Sequence, residues 1–221
     1  MACGGGATGI SDSQAGPSPA VLKDTSPSQL TVFVAANMGG YDATTRDKTL
    51  IDINIQHGGR PVKFVAGEQI TCNDVVLKSF TGSFEIEFRT ASIAGKAMTC
   101  VYRSGQQSGS LTVGIPQALV ILAPSDHQQV HHGSGTTVRY TGARDTNLWV
   151  VALSPNAKAV AESNQITTTG ATLDTSALGI GDGSIALTDP SNFPLTEIQG
   201  PRFQSVAGSA RRMTMVAVVW T

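Results

Sequence analysis

The chain has 221 residues, enough for one large domain or two of about 90–110 residues each. Hydrophobic residues make up 40% of it and charged residues only 14%, against roughly 25% charged in an average soluble domain, so Thr, Ser, Gln, Asn and Gly must supply the polar surface. Fifteen basic and sixteen acidic side chains give a net charge of −1, which leaves no basic stripe for phosphates and argues against a nucleic-acid partner.

Residues 1–27 begin Met1-Ala2-Cys3-Gly4-Gly5-Gly6 and continue as a Gly/Ser/Pro tract without apolar periodicity, the composition of a flexible linker. From Leu30 onward the pattern is short strands between turn residues. Residues 30–35 are β-branched and apolar, and residues 49–55 place Ile51, Ile53 and Ile55 on one face. His57-Gly58-Gly59-Arg60 is a hairpin signal, followed by an extended run from Pro61 to Val65. Strands are further expected at 69–72, 75–77, 83–88, 98–102 and 110–113. In the third of these Phe84, Ile86 and Phe88 point inward while Glu85 and Glu87 face water. Gly114-Ile115-Pro116 marks a domain boundary. Beyond it, strands are expected at 118–124, 136–140, 148–153, 165–168, 184–187 and 211–220, with a helical turn or two at 154–161. The last run has a continuous apolar end, which suggests a central strand; from Met213 to Trp220 it is far short of the ~20 residues of a membrane-spanning helix.

No stretch shows capped 3.6-residue periodicity, so the fold class is all-β, with two tandem sandwiches behind the linker. The expected division is linker 1–27, first sandwich 28–114 and second sandwich 115–221; one larger sandwich built from both halves is the alternative.

Three cysteines are present, Cys3, Cys72 and Cys100. If Cys3 is modified, the other two form an even remainder, as one structural disulfide requires. Two buried free thiols are the alternative. The spacing of Cys72 and Cys100 resembles the inter-sheet bridge of immunoglobulin-like domains, although the Trp that packs on that bridge is missing and Tyr102 follows its Cys instead of preceding it. The N-terminal Ala-Cys-Gly, at the head of a Gly/Ser/Pro tract, resembles the processed end of a bacterial lipoprotein. That resemblance implies a diacylglyceryl anchor on Cys3, a membrane partner, an extracytoplasmic location in the cell envelope, and a binding, adhesive or scaffolding role.

Sites of chemistry are few. Three of the four histidines, His127, His131 and His132, lie within six residues beside Asp126, and neutral imidazoles ligate zinc or copper. An extended chain would hold His127 and His131 about 13–14 Å apart, so one ion could be shared only across a turn. Met213 and Met215 recur at period two and read as core in preference to a copper site. The Gly-rich run 179–192, with Asp182 and Asp189, lacks the closing Glu of a calcium loop and reads as ordinary turn chemistry. No Gly-x-Ser-x-Gly elbow or phosphate-binding loop occurs, and Ser134 has no assignable base, so no enzyme and no cofactor is indicated. The polar stretch 37–48 is longer than a hairpin needs, and Tyr41, Asp42 and Arg46 within it are candidate contacts for a protein or glycan ligand. A self-assembling subunit that adds strands edge to edge is a further reading.

Overall fold

The computed structural model describes residues 20–40, 44–80, 83–105, 107–155, 160–163, 165–189, 197–199 and 203–221. The first half of the chain forms β1 (Leu30–Met38), β2 (Lys48–His57), β3 (Arg60–Pro61), β4 (Gln69–Cys72), β5 (Val75–Val76), β6 (Lys78–Phe80) and β7 (Ser83–Arg89). A single helical turn, α1 (Thr90–Ile93), then leads into the hairpin of β8 (Ala97–Ser104) and β9 (Gln107–Gly114). Hydrogen bonding orders these as β1-β2-β7-β6 in one sheet and β9-β8-β4-β5 in the other. Lettered in chain order, with β3 a short appendage of β2, that is A-B-E-D against G-F-C-C′, the strand order of an immunoglobulin-type sandwich. Alternation packs the inner faces: Val32, Val34, Ile51, Ile53, Phe84 and Ile86 meet Ile70, Cys100, Tyr102, Leu111 and Val113 in one core.

The second half repeats the plan. It contains β10 (Val120–Ala123), β11 (Gln128–Val130), β12 (Thr136–Thr141), β13 (Trp149–Leu153), β14 (Val160–Glu162), β15 (Gln165–Ile166), β16 (Gly170–Leu173) and β17 (Gly181–Asp189). Two further strands, β18 (Glu197–Gln199) and β19 (Ser205–Trp220), follow. One sheet runs β10-β12-β16-β15, and β14-β13-β17 continues into the C-terminal half of β19. This is again A-B-E-D against C′-C-F-G. Val138, Tyr140, Val150, Ile185, Leu187 and Trp220 belong to its separate core. The all-β expectation of two tandem immunoglobulin-like sandwiches therefore holds at the level of strand order and of two distinct cores.

The chain does not return to its own half in the expected way. After β17 it goes back to the first sandwich, where β18 pairs antiparallel with β9. Residues 205–212 of β19 pair parallel with β1, and residues 212–220 pair antiparallel with β17. One edge of each sheet of the first sandwich, β1 and β9, is thus covered by sequence from the second half. Phe203, between the two added strands, packs on the first core with its ring 5.6 Å from that of Tyr102. Division at residue 114 consequently leaves two strands of the first unit in the second half, because one 16-residue strand serves both sandwiches. Its central position agrees with its apolar character, and the ten-stranded sheet it joins runs through both units.

Residue 212 is where β19 changes partners, opposite Met38 on one side and Asp189 on the other. Its guanidinium is fully buried, pairs with the equally buried Asp189, and donates through Nη1 to the carbonyls of Gln117 and Gly142. Gly142 lies at φ +90°, and a Cβ there would fall 2.0 Å from the carbonyl oxygen of Ala118, so only glycine fits. The Gly179–Asn192 run read as turn chemistry is mostly β17, and Asp189 serves this ion pair.

Two further expectations are corrected. Leu22 is only 1% exposed in the first core and Val21 bridges to Lys63, so the folded region begins by residue 20, not residue 28. Cys72 and Cys100 are disulfide-bonded, but they face each other on neighbouring strands β4 and β8 of one sheet. The bridge is therefore C to F within a sheet, not an inter-sheet B to F bridge. Cys3 and most of the proposed linker lie outside the described residues; of the expected helical turn at 154–161, residues 156–159 do too, while Val160 and Ala161 belong to β14 and not to a helix.

Candidate binding surface at the junction of the sandwiches

Arg46 and Asp126 are eighty positions apart in sequence, yet the fold brings them together. Arg46 sits in the A–B loop of the first sandwich, which Gly39 N–H to Lys48 C=O (2.7 Å) and Thr90 N–H to Asp47 C=O (2.6 Å) tie down at its ends. Asp126 lies where the chain of the second sandwich crosses from β10 to β11, just after the cis Ala123–Pro124 bond. An Arg46 Nη1 stands 3.2 Å from Asp126 Oδ2. The other carboxylate oxygen accepts from the backbone N–H of Ala217 at 2.8 Å, and His127 N–H donates to Ala217 C=O at 2.7 Å. This exposed ledge at the seam combines both loop regions that the sequence singled out. Tyr41 and Asp42 lie outside the described residues.

The Ala217 amide, and after it Arg46, hold the Asp126 carboxyl below its ordinary value of 3.8. A lowered acid contributes stability that is complete above its unfolded pKa and is lost as pH falls through the folded value. Asp126→Asn is therefore expected to be less stable than the parent at pH 7, by about 0.5 kcal/mol for so exposed a pair. The two proteins should converge as pH falls through the folded pKa, and paired urea titrations in a series downward from pH 7 check this.

The histidines do not converge. His127 is exposed in a left-handed turn conformation at φ +59°, with Nδ1 3.3 Å from Asp126 Oδ2. Strand β11 then carries the chain away before His131 and His132, whose rings stack at 5.8 Å. His132 is anchored by its backbone N–H to Thr221 C=O at 3.2 Å. Among the described residues no group of three His, Cys, Asp or Glu is placed to share an ion. The physical reason is the strand between them, since extended backbone separates alternate side chains instead of gathering them.

The core reading of Met213 and Met215 changes, and packing decides which large aromatics are buried. Trp149 is 69% exposed, whereas Trp220 and Tyr140 are core. Met213 and Met215 lie on the outer face of β19, half-buried, because Val216, Val218 and Trp220 take the inner face. Both faces of β13 and β19 are apolar in sequence, so alternation alone could not say which face was in. An open groove of about 490 Å³ lies on the outer face of the first sandwich, its lining including Phe33, Ala35, Asp52 and Ser209. Burial, and then Glu85 across the strand pair, raise the Asp52 carboxyl above 3.8. Glu85 and Glu87 stand on this outer face as their alternation required.

No family model matches the chain, and no curated protein does. Among solved structures, it is similar to a chimeric titin Z1Z2-Z1Z2 tandem carrying a fibronectin peptide, with 9% identity, a TM-score of 0.26, and coverage of 87% of this chain and 96% of that one. Titin domains Z1Z2 in complex with telethonin give 11% identity and a TM-score of 0.24, covering 89% and 95%. Immunoglobulin domains 1–5 of Sidekick-1 give 10% and 0.24, covering 85% of this chain and 37% of that one. The immunoglobulin-like assignment rests on the strand order and the two cores.

Proposed function

We propose that this chain is a non-catalytic binding module of the cell envelope, tethered through a lipidated Cys3, with its ligand contacts at the seam between the sandwiches. The observation that carries the reading is the Arg46–Asp126 ledge. It joins loops from two immunoglobulin-type units into one exposed surface, and loops on a rigid scaffold are the usual place for recognition. The disulfide supports an oxidising compartment. No helix among the described residues is long and apolar enough to cross a membrane, which agrees with attachment by lipid. Edge-to-edge assembly is the weaker reading, since the terminal strands β5, β6, β10, β14, β15 and β18 each have two to four residues and β1 is already paired.

Non-reducing intact mass of protein recovered from its native envelope tests the tether. The expected species starts at Cys3, carries acyl chains and is two hydrogens short, and Cys3→Ser should release the protein from the membrane fraction. An unmodified Met1 with three free thiols overturns the reading. For the surface, a photo-crosslinker at Arg46 or His127 should capture a partner in intact envelopes, while one at Thr137, on the opposite sheet, should not.

A further inference from the structure

We infer that the open groove on the outer face of the first sandwich is a binding site for a short neutral oligosaccharide. The inference is independent of the tether and of the seam ledge. Register builds the site from two rows across three strands. Ala207 of β19, Phe33 of β1 and Asn54 of β2 form one row, and Ser209, Ala35 and Asp52 form the next. Val32, Val34 and Ile53 take the inner face, so Phe33 is turned outward and stays 42% exposed. Ala35 and Ala207 are short beside Phe33, Asp52 and Asn54, and Gly208 has no side chain, which leaves a groove of about 490 Å³. That volume is within the range of small-molecule sites, roughly 300–1,000 Å³. One wall comes from residues 207–209 of β19, so the site depends on the return of the shared strand to the first sandwich.

The ligand class follows from what the groove offers and what it repels. A pyranose has an apolar C–H face and a rim of hydroxyls. The negative face of the Phe33 ring suits the first, and the Asp52 carboxylate, Asn54 amide and Ser209 hydroxyl suit the second. Asp52 already accepts from the Ser83 hydroxyl. An ionised carboxylate has about four acceptor positions, however, and a hydroxyl donating to it makes a charge-assisted bond. An apolar ligand would strip water from Asp52 without replacing its hydrogen bonds. An anionic one would meet Asp52 and, opposite it on β7, Glu85. An extended peptide finds no free edge here, since β1 is paired on both sides. A cation is not selected either: Glu85 lies opposite Lys78, and Glu87 is 3.1 Å from Lys48, so basic side chains balance the acidic strand. A neutral polyhydroxyl ligand is the class that remains.

The test is isothermal titration of the full chain carrying Cys3→Ser, so that acyl chains do not contribute. The probes are short neutral oligosaccharides of glucose, galactose, mannose and N-acetylglucosamine, with spermine and a sulfated oligosaccharide as charged comparisons. At least one neutral oligosaccharide is expected to bind with a Kd of about 0.1–1 mM, the weak affinity of an open groove that covers one side of its ligand. Phe33→Ala should weaken binding by roughly tenfold or more, and Asp52→Asn by about fivefold or more. Phe33→Trp should keep the affinity within about threefold and add an indole emission that shifts as the saccharide saturates. Trp149→Ser, at the exposed aromatic of the second sandwich, should leave the affinity unchanged. A melting temperature within about 4 °C of the parent, expected for changes on a solvent-facing surface, shows that each variant remains folded. Absence of neutral saccharide binding below about 10 mM, far weaker than the expected range, overturns the inference. So does binding that Phe33→Ala and Asp52→Asn both leave intact, or binding of spermine or the sulfated probe alone.

Discussion

Arg212→Met is expected to cost about 3–5 kcal/mol of folding free energy, because it removes the cation that balances the buried Asp189 carboxylate. The carbonyls of Gln117 and Gly142 lose a donor in the same step. The double variant Asp189→Leu/Arg212→Met should recover much of the loss, since a buried pair replaced by apolar groups is often close to neutral. Urea titration of the two variants and the parent decides the matter. A loss below about 1 kcal/mol for the single variant would mean that the pair is dispensable at the seam. Equal losses in single and double variants would assign the effect to the two carbonyls and not to the charge.

The second large effect is expected from the disulfide. A bridge spanning 28 residues contributes about 3.5 kcal/mol in the chain-entropy model, and Cys72→Ala/Cys100→Ala should lose about that much. For a chain of this size each kcal/mol is worth roughly 2–4 °C in Tm, so a fall of about 10 °C is expected. Because β19 is shared by both units, the variant should still melt in one transition, with the second sandwich falling at the same temperature as the first. Two separated transitions by calorimetry would show that the shared strand does not couple them.

These expectations depend on features with different visibility in the sequence. Strand identity was local and therefore legible: the alternation Ile51, Ile53, Ile55 and the glycine pair 58–59 each specify an element within a few residues. Partner choice was not. β11, β14, β16 and β18 have three or four residues apiece, too few to register as periodicity, and they become strands because a neighbouring edge offers them hydrogen bonds. Cys72 and Cys100 were legible as a pair, but whether they join sheets or strands depends on which strands are neighbours.

The candidate site divides in the same way. Arg46 and the Asp126–His132 run stood out separately by composition and loop length, and nothing in the chain linked them. Their meeting follows from β19, which crosses the seam and brings the A–B loop of one sandwich against the A strand of the other. The exposure of Trp149 was not legible because both faces of residues 148–153 are apolar, and burial follows from which face the opposing sheet covers.

By itself, the sequence determined the all-β class and most strand positions, since period-two alternation and turn residues act over short range. Only the tertiary structure decided that one strand would serve both sandwiches, that Arg212 would be buried where it changes partners, and that an apolar face would remain outward. Those outcomes depend on pairing between segments up to about 170 residues apart, where competing edges and faces are chosen by the packing of the whole chain and not by any local pattern.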